Sequence, residues 1–191
     1  ENYKGWANPN QPYYLEGTEK TLKDLHEKTD YAVYALCGYW GMLGHAYSFV
    51  AGFDKWLADM VVNPDFYKAM MDHILALNLE FVEKYYARVG DYCDVVLIGD
   101  DMGAQDGPFM PPAMFKEFVK PWMKKLIAGI KKNTKAKLKL HSCGSVYQLI
   151  PDFIDAGVDI LNPIQPLAKD MSPAKLKKDF GRKIVLHGGI D

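Results

Sequence analysis

The sequence predicts an α/β fold, namely a (β/α)8 TIM barrel that is present as a partial barrel of about five parallel strands with helices. Short buried runs alternate with helical segments along the chain, which implies parallel pairing and right-handed crossovers. The chain has 191 residues, whereas a whole barrel takes about 250 residues. We therefore expect a single domain over residues 1–191 that holds the later strands of a barrel and is truncated at one or both ends.

The chain opens with a polar, turn-rich segment and then becomes regular. Residues 1–30 are predicted to be an irregular lead-in that contains one helix, Thr18–Lys28. Residues 31–191 are predicted to be the barrel strands and helices. Five apolar runs of strand length are the predicted strands: Tyr31–Cys37, Asp94–Ile98, Leu138–His141, Val158–Leu161 and Ile184–His187.

The segments between these strands have helical periodicity and recognisable ends. Pro64 suits the first turn of a helix that Asn63 caps, and Gly157 is a C-terminal stop. A basic last turn at Lys131 and Lys132 suits the helix dipole. The predicted helices are Asp54–Val62, Pro64–Arg88, Pro111–Lys132, Val146–Ala156 and Pro173–Phe180.

An open, doubly wound sheet is the competing fold. Such a sheet usually carries a glycine-rich phosphate loop after its first strand. The corresponding segment here, Cys37–Gly44, lacks the GxGxxG spacing and is rich in aromatic residues. We therefore do not interpret it as a nucleotide site, and we favour the barrel.

The composition indicates an ordinary globular enzyme domain with a small-molecule substrate. Apolar residues make up 49% of the chain and charged residues 25%. With 23 basic and 24 acidic residues, no net charge draws the chain to nucleic acid or to a membrane surface. Three irregularly spaced cysteines are not a disulfide framework, so a cytoplasmic location is expected.

Each predicted strand ends in residues that can bind a ligand or take part in chemistry. In a parallel barrel the carboxyl ends of the strands hold the active site, so these groups should converge on one face. Cys93, Lys137 and Lys183 precede their strands and should lie at the opposite end. The strand-end groups are Cys37 with Tyr39, Asp100 with Asp101, His141 with Cys143, Asn162 with Gln165, and His187 with Asp191.

The pair formed by His141 and Cys143 is the strongest chemical signal. Two residues apart in an extended chain, the side chains point the same way, so an imidazole and a thiolate could share one small cation. Both are usual zinc ligands, and a zinc site needs at least one more. The alternative is that they are buried strand-end residues without a metal.

Other polar residues have structural interpretations beside the functional ones. Asp100 and Asp101 could cap the following turn, orient the His141 ring or contact substrate. His45 and Tyr47 are placed in the loop after the first strand, where they could line the pocket.

Four motifs together resemble a known family. They are Gly99–Gly103 with Gln105–Pro108, then His141–Gly144, then Asp159–Pro163, and finally Leu186–Asp191. Their order and spacing resemble the later strands of the uroporphyrinogen decarboxylase superfamily of (β/α)8 barrels. The His-x-Cys-Gly strand end is similar to the zinc-dependent, corrinoid-linked methyltransferases of that superfamily.

This resemblance implies a cofactor, a partner and a set of roles. Zinc would be held by His141, Cys143 and a second cysteine downstream of the last strand. Methyl transfer would run between a corrinoid (methylcobalamin), carried on a partner protein, and a thiol or methylated substrate. We assign candidate catalytic roles to Asp100, Asp101 and His187. We assign candidate substrate contacts to Tyr39, His45, Gln105, Asn162 and Gln165.

Two alternatives to a methyltransferase stay open at the level of sequence. The first is a uroporphyrinogen decarboxylase, which would need arginine forks for the carboxylates of its tetrapyrrole substrate. The chain offers Arg88 and Arg182, both away from the strand carboxyl ends, but the resemblance implies that the key arginines lie in the early barrel. The second alternative is a non-catalytic tetrapyrrole-binding or scaffold relative.

Overall fold

A five-stranded parallel sheet organises the protein. The computed structural model describes residues 12–36 and 43–190. The strands are β1 (Tyr34–Leu36), β2 (Val95–Gly99), β3 (Lys137–His141), β4 (Ile160–Ile164) and β5 (Val185–Gly188), and each pairs with its neighbours in chain order. A doubly wound sheet reverses its strand order at a switch point, whereas a barrel does not. The consecutive order is that of a partial (β/α)8 barrel.

The helices precede and connect the strands of this sheet. Within the described residues they are α1 (Pro12–Lys28), α2 (Gly44–Ala51), α3 (Phe53–Val62), α4 (Pro64–Val89), α5 (Pro112–Phe118), α6 (Lys120–Asn133), α7 (Ile150–Ala156) and α8 (Pro173–Phe180). None of them combines the length and the apolar character needed to cross a membrane.

The core lies between the sheet and the helices because the strand residues alternate in direction. Leu138 and Leu140 of β3 are fully buried, and the helix α6 residues Leu126 and Ile127 are buried in the same core. Each such side chain contributes about 1.5–3 kcal/mol on burial. The alternating residues of β3, which include His141, therefore face the inner side of the sheet.

Several predicted boundaries differ from the structure for identifiable reasons. The predicted helix Pro111–Lys132 is broken at Val119, where Pro121 lies in the first turn of α6 and cannot donate a backbone hydrogen bond. The predicted helix Val146–Ala156 begins with a 3-10 turn at Tyr147–Leu149, and only Ile150–Ala156 is α-helical. Helix α1 begins at Pro12 rather than at Thr18, and β4 begins at Ile160 rather than at Val158.

Helix α2 was not predicted, because its glycine-flanked sequence has the composition of a loop. A Cβ atom at Gly44 would collide with the Trp56 ring, so the glycine allows α2 to pack against α3. His45 and Tyr47 therefore lie in a helix, and the prediction that they belong to a loop is wrong. The predicted end of the first strand, Cys37, lies outside the described residues.

Candidate metal centre

The register of the sheet brings three strand ends together. Gly99 pairs with His141, and His141 pairs with Asn162, so β2, β3 and β4 end at the same level. Asp101 and Cys143 follow β2 and β3 within two residues. The ligand atoms of Asp101, His141 and Cys143 all lie within 4.8 Å of one another, and all three side chains are partly buried. This cluster is the candidate metal centre.

The orientation of the His141 ring is set by Asn162. The Asn162 side-chain amide donates to the carbonyl oxygen of His187 at 3.4 Å, which turns its own carbonyl oxygen toward Nδ1 of His141 at 3.0 Å. An amide oxygen can only accept, so Nδ1 must carry the proton. Nε2 of His141 then presents its lone pair to the centre, which is the tautomer that metal binding through Nε2 requires.

The Cys143 thiol faces that lone pair. Its sulfur lies 3.2 Å from Nε2 of His141. Burial, together with the nearby Asp101 carboxylate, raises the pKa of the Cys143 thiol to about 11. A bound cation reverses this effect, since a coordinating thiol is deprotonated outright.

Asp101 is held in the cluster by the backbone. Its Oδ1 accepts the N–H of Cys143 at 2.7 Å and lies 3.8 Å from Nε2 of His141. Within the described residues, no lysine or arginine forms an ion pair with Asp101. The cluster therefore gathers a carboxylate, an imidazole lone pair and a thiol, and none of the described lysines or arginines is ion-paired with the carboxylate.

The two loops that carry Asp101 and Cys143 are locked together. The N–H of Ser145 donates to the carbonyl oxygen of Ala104 at 2.7 Å. Gly144 adopts φ +80, and a Cβ atom there would collide with the carbonyl oxygens of Gly103 and Ala104. Glycine at position 144 therefore permits the close approach that holds the candidate ligands in place.

Gln165 and Gln105 support these loops, although both were predicted to contact substrate. The N–H of Gly144 donates to Oε1 of Gln165, so this side chain tethers the loop after β3. The carbonyl oxygen of Gln105 accepts the N–H of Lys169 at 2.9 Å, and the Gln105 side chain is exposed. Their roles toward substrate stay predictions.

Asp100 engages the start of α2 rather than the turn that follows it. Its two carboxylate oxygens accept the N–H groups of Leu43 and His45, each at 3.0 Å, and only 4% of the residue is exposed. Nδ1 of His45 in turn accepts the N–H of Asp101 at 3.4 Å. These contacts favour a positioning role for Asp100 and bring His45 to the edge of the cluster.

Three other predicted site residues lie away from the cluster or outside the described residues. The Tyr47 hydroxyl is fully buried and donates to Asp59 at 2.6 Å, away from the strand ends. His187 contributes its carbonyl oxygen to Asn162, while its side chain is exposed on the edge strand. Tyr39 lies outside the described residues.

The opposite end of the sheet holds the residues expected there. Cys93 precedes β2, whose first residue pairs with Lys137, and its thiol donates to the carbonyl oxygen of Val89 at 3.2 Å. A cavity of about 520 Å³ opens at this end, lined in part by Lys137, Arg182 and Lys183. Cys93 and the cluster therefore lie at different ends of the barrel strands.

Sequence reasoning named the members of this cluster but missed how they are connected. It assigned the orientation of His141 to Asp100 or Asp101, whereas Asn162 occupies that position. The signal that could have found it is the strand register, because Asn162 lies beside His141 on the neighbouring strand.

A family model described as uroporphyrinogen decarboxylase (URO-D) matches residues 5–191, nearly the whole chain. The chain belongs to the URO-D family. Among solved structures, the URO-D chain is similar to a methyltransferase from Methanosarcina mazei, with 17% sequence identity and a TM-score of 0.59. The match covers 93% of this chain and 58% of the methyltransferase, so the URO-D chain spans a little over half the length of that protein. At this identity the likeness shows the fold. None of the curated proteins matches the chain.

Proposed function

We propose that this chain carries the metal-binding part of a zinc-dependent methyltransferase of the URO-D family. The reaction moves a methyl group between a corrinoid (methylcobalamin), carried on a partner protein, and a thiol or methylated small-molecule substrate. The observation that carries the proposal is the pair of Nε2 of His141 and Sγ of Cys143, 3.2 Å apart at the end of β3. The methyltransferase with a similar fold supports the reaction class.

The donor set suits zinc. Imidazole nitrogen and thiolate sulfur are the ligands that zinc takes most often in proteins. The proton on Nδ1 of His141, held by Asn162 at 3.0 Å, gives Nε2 the lone pair with which it would bind a metal. When bound, zinc would supply a Lewis acid that keeps a substrate thiol in its nucleophilic thiolate form near neutral pH.

The residues around the pair then have distinct tasks. Asn162 orients His141, and Asp100 anchors the start of α2, which brings the His45 ring beside Asp101. Gln165 fixes the loop that carries Cys143 through the N–H of Gly144. We keep His187 as a proposed catalytic residue, and Gln105 and Tyr39 as proposed contacts to substrate. A free thiol ligand requires a reducing compartment, so we place the enzyme in the cytoplasm.

The positions of the arginines favour methyl transfer over the decarboxylase alternative. A substrate with many carboxylates needs cationic forks near the reacting centre. Arg88 pairs with Glu19 at 2.6 Å on the helical layer, and Arg182 lines the cavity at the amino end of the sheet. Neither arginine lies at the end of the sheet that holds His141 and Cys143.

The test compares two cysteines of the full-length protein. Cys143→Ala should abolish both the bound zinc and methyl transfer from methylcobalamin to a thiol, because it removes a direct ligand. Cys93→Ala is the matched control, since Cys93 is also a free cysteine but lies at the other end of the sheet. Zinc content is measured by elemental analysis after dialysis, and methyl transfer by the change in the cobalamin absorption spectrum.

Two results would overturn the proposal. One is a zinc-free wild-type protein that decarboxylates uroporphyrinogen, which would establish the decarboxylase instead. The other is a protein that binds a tetrapyrrole but shows neither zinc nor turnover, which would establish the non-catalytic alternative.

A further inference from the structure

Asp101 lies beside the pair formed by His141 and Cys143. Family resemblance implies His141, Cys143 and a downstream cysteine, and it assigns no metal-binding role to this carboxylate. The ligand atoms of Asp101, His141 and Cys143 are nevertheless within 4.8 Å of one another. We infer that Asp101 is a direct zinc ligand, and this inference rests on the proposed function.

The two distances from Nε2 of His141 each lie within about 0.4 Å of those in a tetrahedral zinc site. With usual zinc–ligand bond lengths, a tetrahedral site separates nitrogen from sulfur by about 3.6 Å and nitrogen from oxygen by about 3.4 Å. In this protein, Nε2 of His141 lies 3.2 Å from Sγ of Cys143 and 3.8 Å from Oδ1 of Asp101. The third pair, between the Asp101 oxygen and the Cys143 sulfur, lies within the same 4.8 Å limit.

A backbone hydrogen bond positions the Asp101 carboxylate and leaves acceptor sites on it for a metal ion. The N–H of Cys143 donates to Oδ1 of Asp101 at 2.7 Å, which ties the carboxylate to the residue that supplies the thiolate. An ionised carboxylate has about four acceptor sites on its two oxygens, so one hydrogen bond leaves room for a metal bond. The same hydrogen bond therefore brings two ligands into position.

The charge of the cluster also favours a carboxylate ligand. His141 binds as a neutral ring because its Nδ1 proton is held by Asn162, so it adds no negative charge. No described lysine or arginine forms an ion pair with Asp101, and its carboxylate is partly buried. A divalent cation bound by one thiolate and one carboxylate would be neutralised within the cluster, which lowers the cost of burying each charge.

The experiment separates ligation from positioning with the variant Asp101→Asn in the full-length protein. An asparagine side-chain oxygen still accepts the Cys143 N–H, but it lacks the negative charge that zinc binding uses. Asp106→Asn is the matched control, because Asp106 is exposed in the same loop. Zinc affinity is measured by competition with a chelator, and the ligand set by the absorption spectrum of the cobalt(II)-substituted protein. Far-UV circular dichroism verifies that each variant is folded.

We expect Asp101→Asn to lower zinc affinity by more than about 10-fold and to shift the cobalt d–d bands while the thiolate charge-transfer band stays. The control should resemble the wild type. If Asp101→Asn binds zinc as tightly as the wild type with the same cobalt spectrum, Asp101 only positions Cys143 and the inference is wrong. In that case loss of zinc in Cys143→Ala would still support the proposed function. A wild-type protein that binds neither metal would overturn both.

Discussion

At each end of the sheet an aspartate side chain accepts a backbone N–H group, but the groups around the two aspartates differ. At the amino end, Asp159 accepts the N–H of Leu138 at 2.8 Å and pairs with Lys131 at 2.9 Å. At the carboxyl end, Asp101 accepts the N–H of Cys143 at 2.7 Å but faces an imidazole and a thiol. One carboxylate is neutralised within the chain. The other forms no ion pair with a described lysine or arginine, which is why we propose the functional site at the carboxyl end.

Of the changes considered, replacing Gly144 at the carboxyl end should lower the stability of the protein most. A Cβ atom at this positive φ meets the carbonyl oxygens of Gly103 and Ala104, so Gly144→Ala should lower the free energy of unfolding by about 2–4 kcal/mol. Gly107→Ala is the control, because a Cβ atom there meets nothing within 4 Å. Urea unfolding measures both. Equal stability of the two variants would show that the loops at the carboxyl end are not locked together as described.

Removing the amide that orients His141 should weaken zinc binding without a large loss of stability. We expect Asn162→Ala to raise the zinc dissociation constant about 10–100-fold, and Asn162→Asp to restore it because a carboxylate also accepts from Nδ1. Chelator competition measures the constant. Asp159→Asn, on the amino-end side of the same strand, should leave zinc affinity unchanged. Wild-type affinity in Asn162→Ala would mean that another group fixes the ring.

An aspartate that is paired within the chain should make the stability of the protein depend on pH in the acid range. Hydrogen bonds from Lys55 first, then from Tyr47 and Asn63, lower the pKa of Asp59 from 3.8 to about 2. Because the folded-state pKa lies below the unfolded value, its contribution is present above pH 3.8 and is lost as the pH falls toward 2. Asp59→Asn should flatten the pH dependence of unfolding in this window, measured by urea unfolding at several pH values. A wild-type slope in Asp59→Asn would contradict the assignment.

The smallest effect is expected at the amino end. Arg182 is exposed beside the cavity of about 520 Å³, so Arg182→Ala should change the free energy of unfolding by less than about 0.5 kcal/mol. Zinc content and methyl transfer should stay at wild-type levels. A clear loss of zinc in this variant would mean that the two ends of the sheet are coupled, and the contrast drawn between them would fail.

Element order and most boundaries followed from the sequence, because capping and periodicity are local properties. Helix α8 was predicted at Pro173–Phe180, where the structure places it, and Gly157 ends α7 in the left-handed conformation, as expected. Helix α2 was missed because its glycine-flanked sequence resembles a loop, and part of what holds its start is distant in sequence, since Asp100 accepts the N–H groups of Leu43 and His45. The continuous helix predicted over 111–132 failed at Val119, where a local break outweighed the apolar periodicity.

The sequence by itself determined the class of the fold and the chemistry available at each strand end, because the alternation of elements and the residue types at their ends are written along the chain. Tertiary structure decided which groups meet. Only the strand register places Asn162 beside His141, and only the packing of two glycine-containing loops brings Asp101 onto the backbone of Cys143. These contacts join residues 21 and 42 positions apart, so their geometry depends on the register and packing of whole elements, which no local pattern encodes.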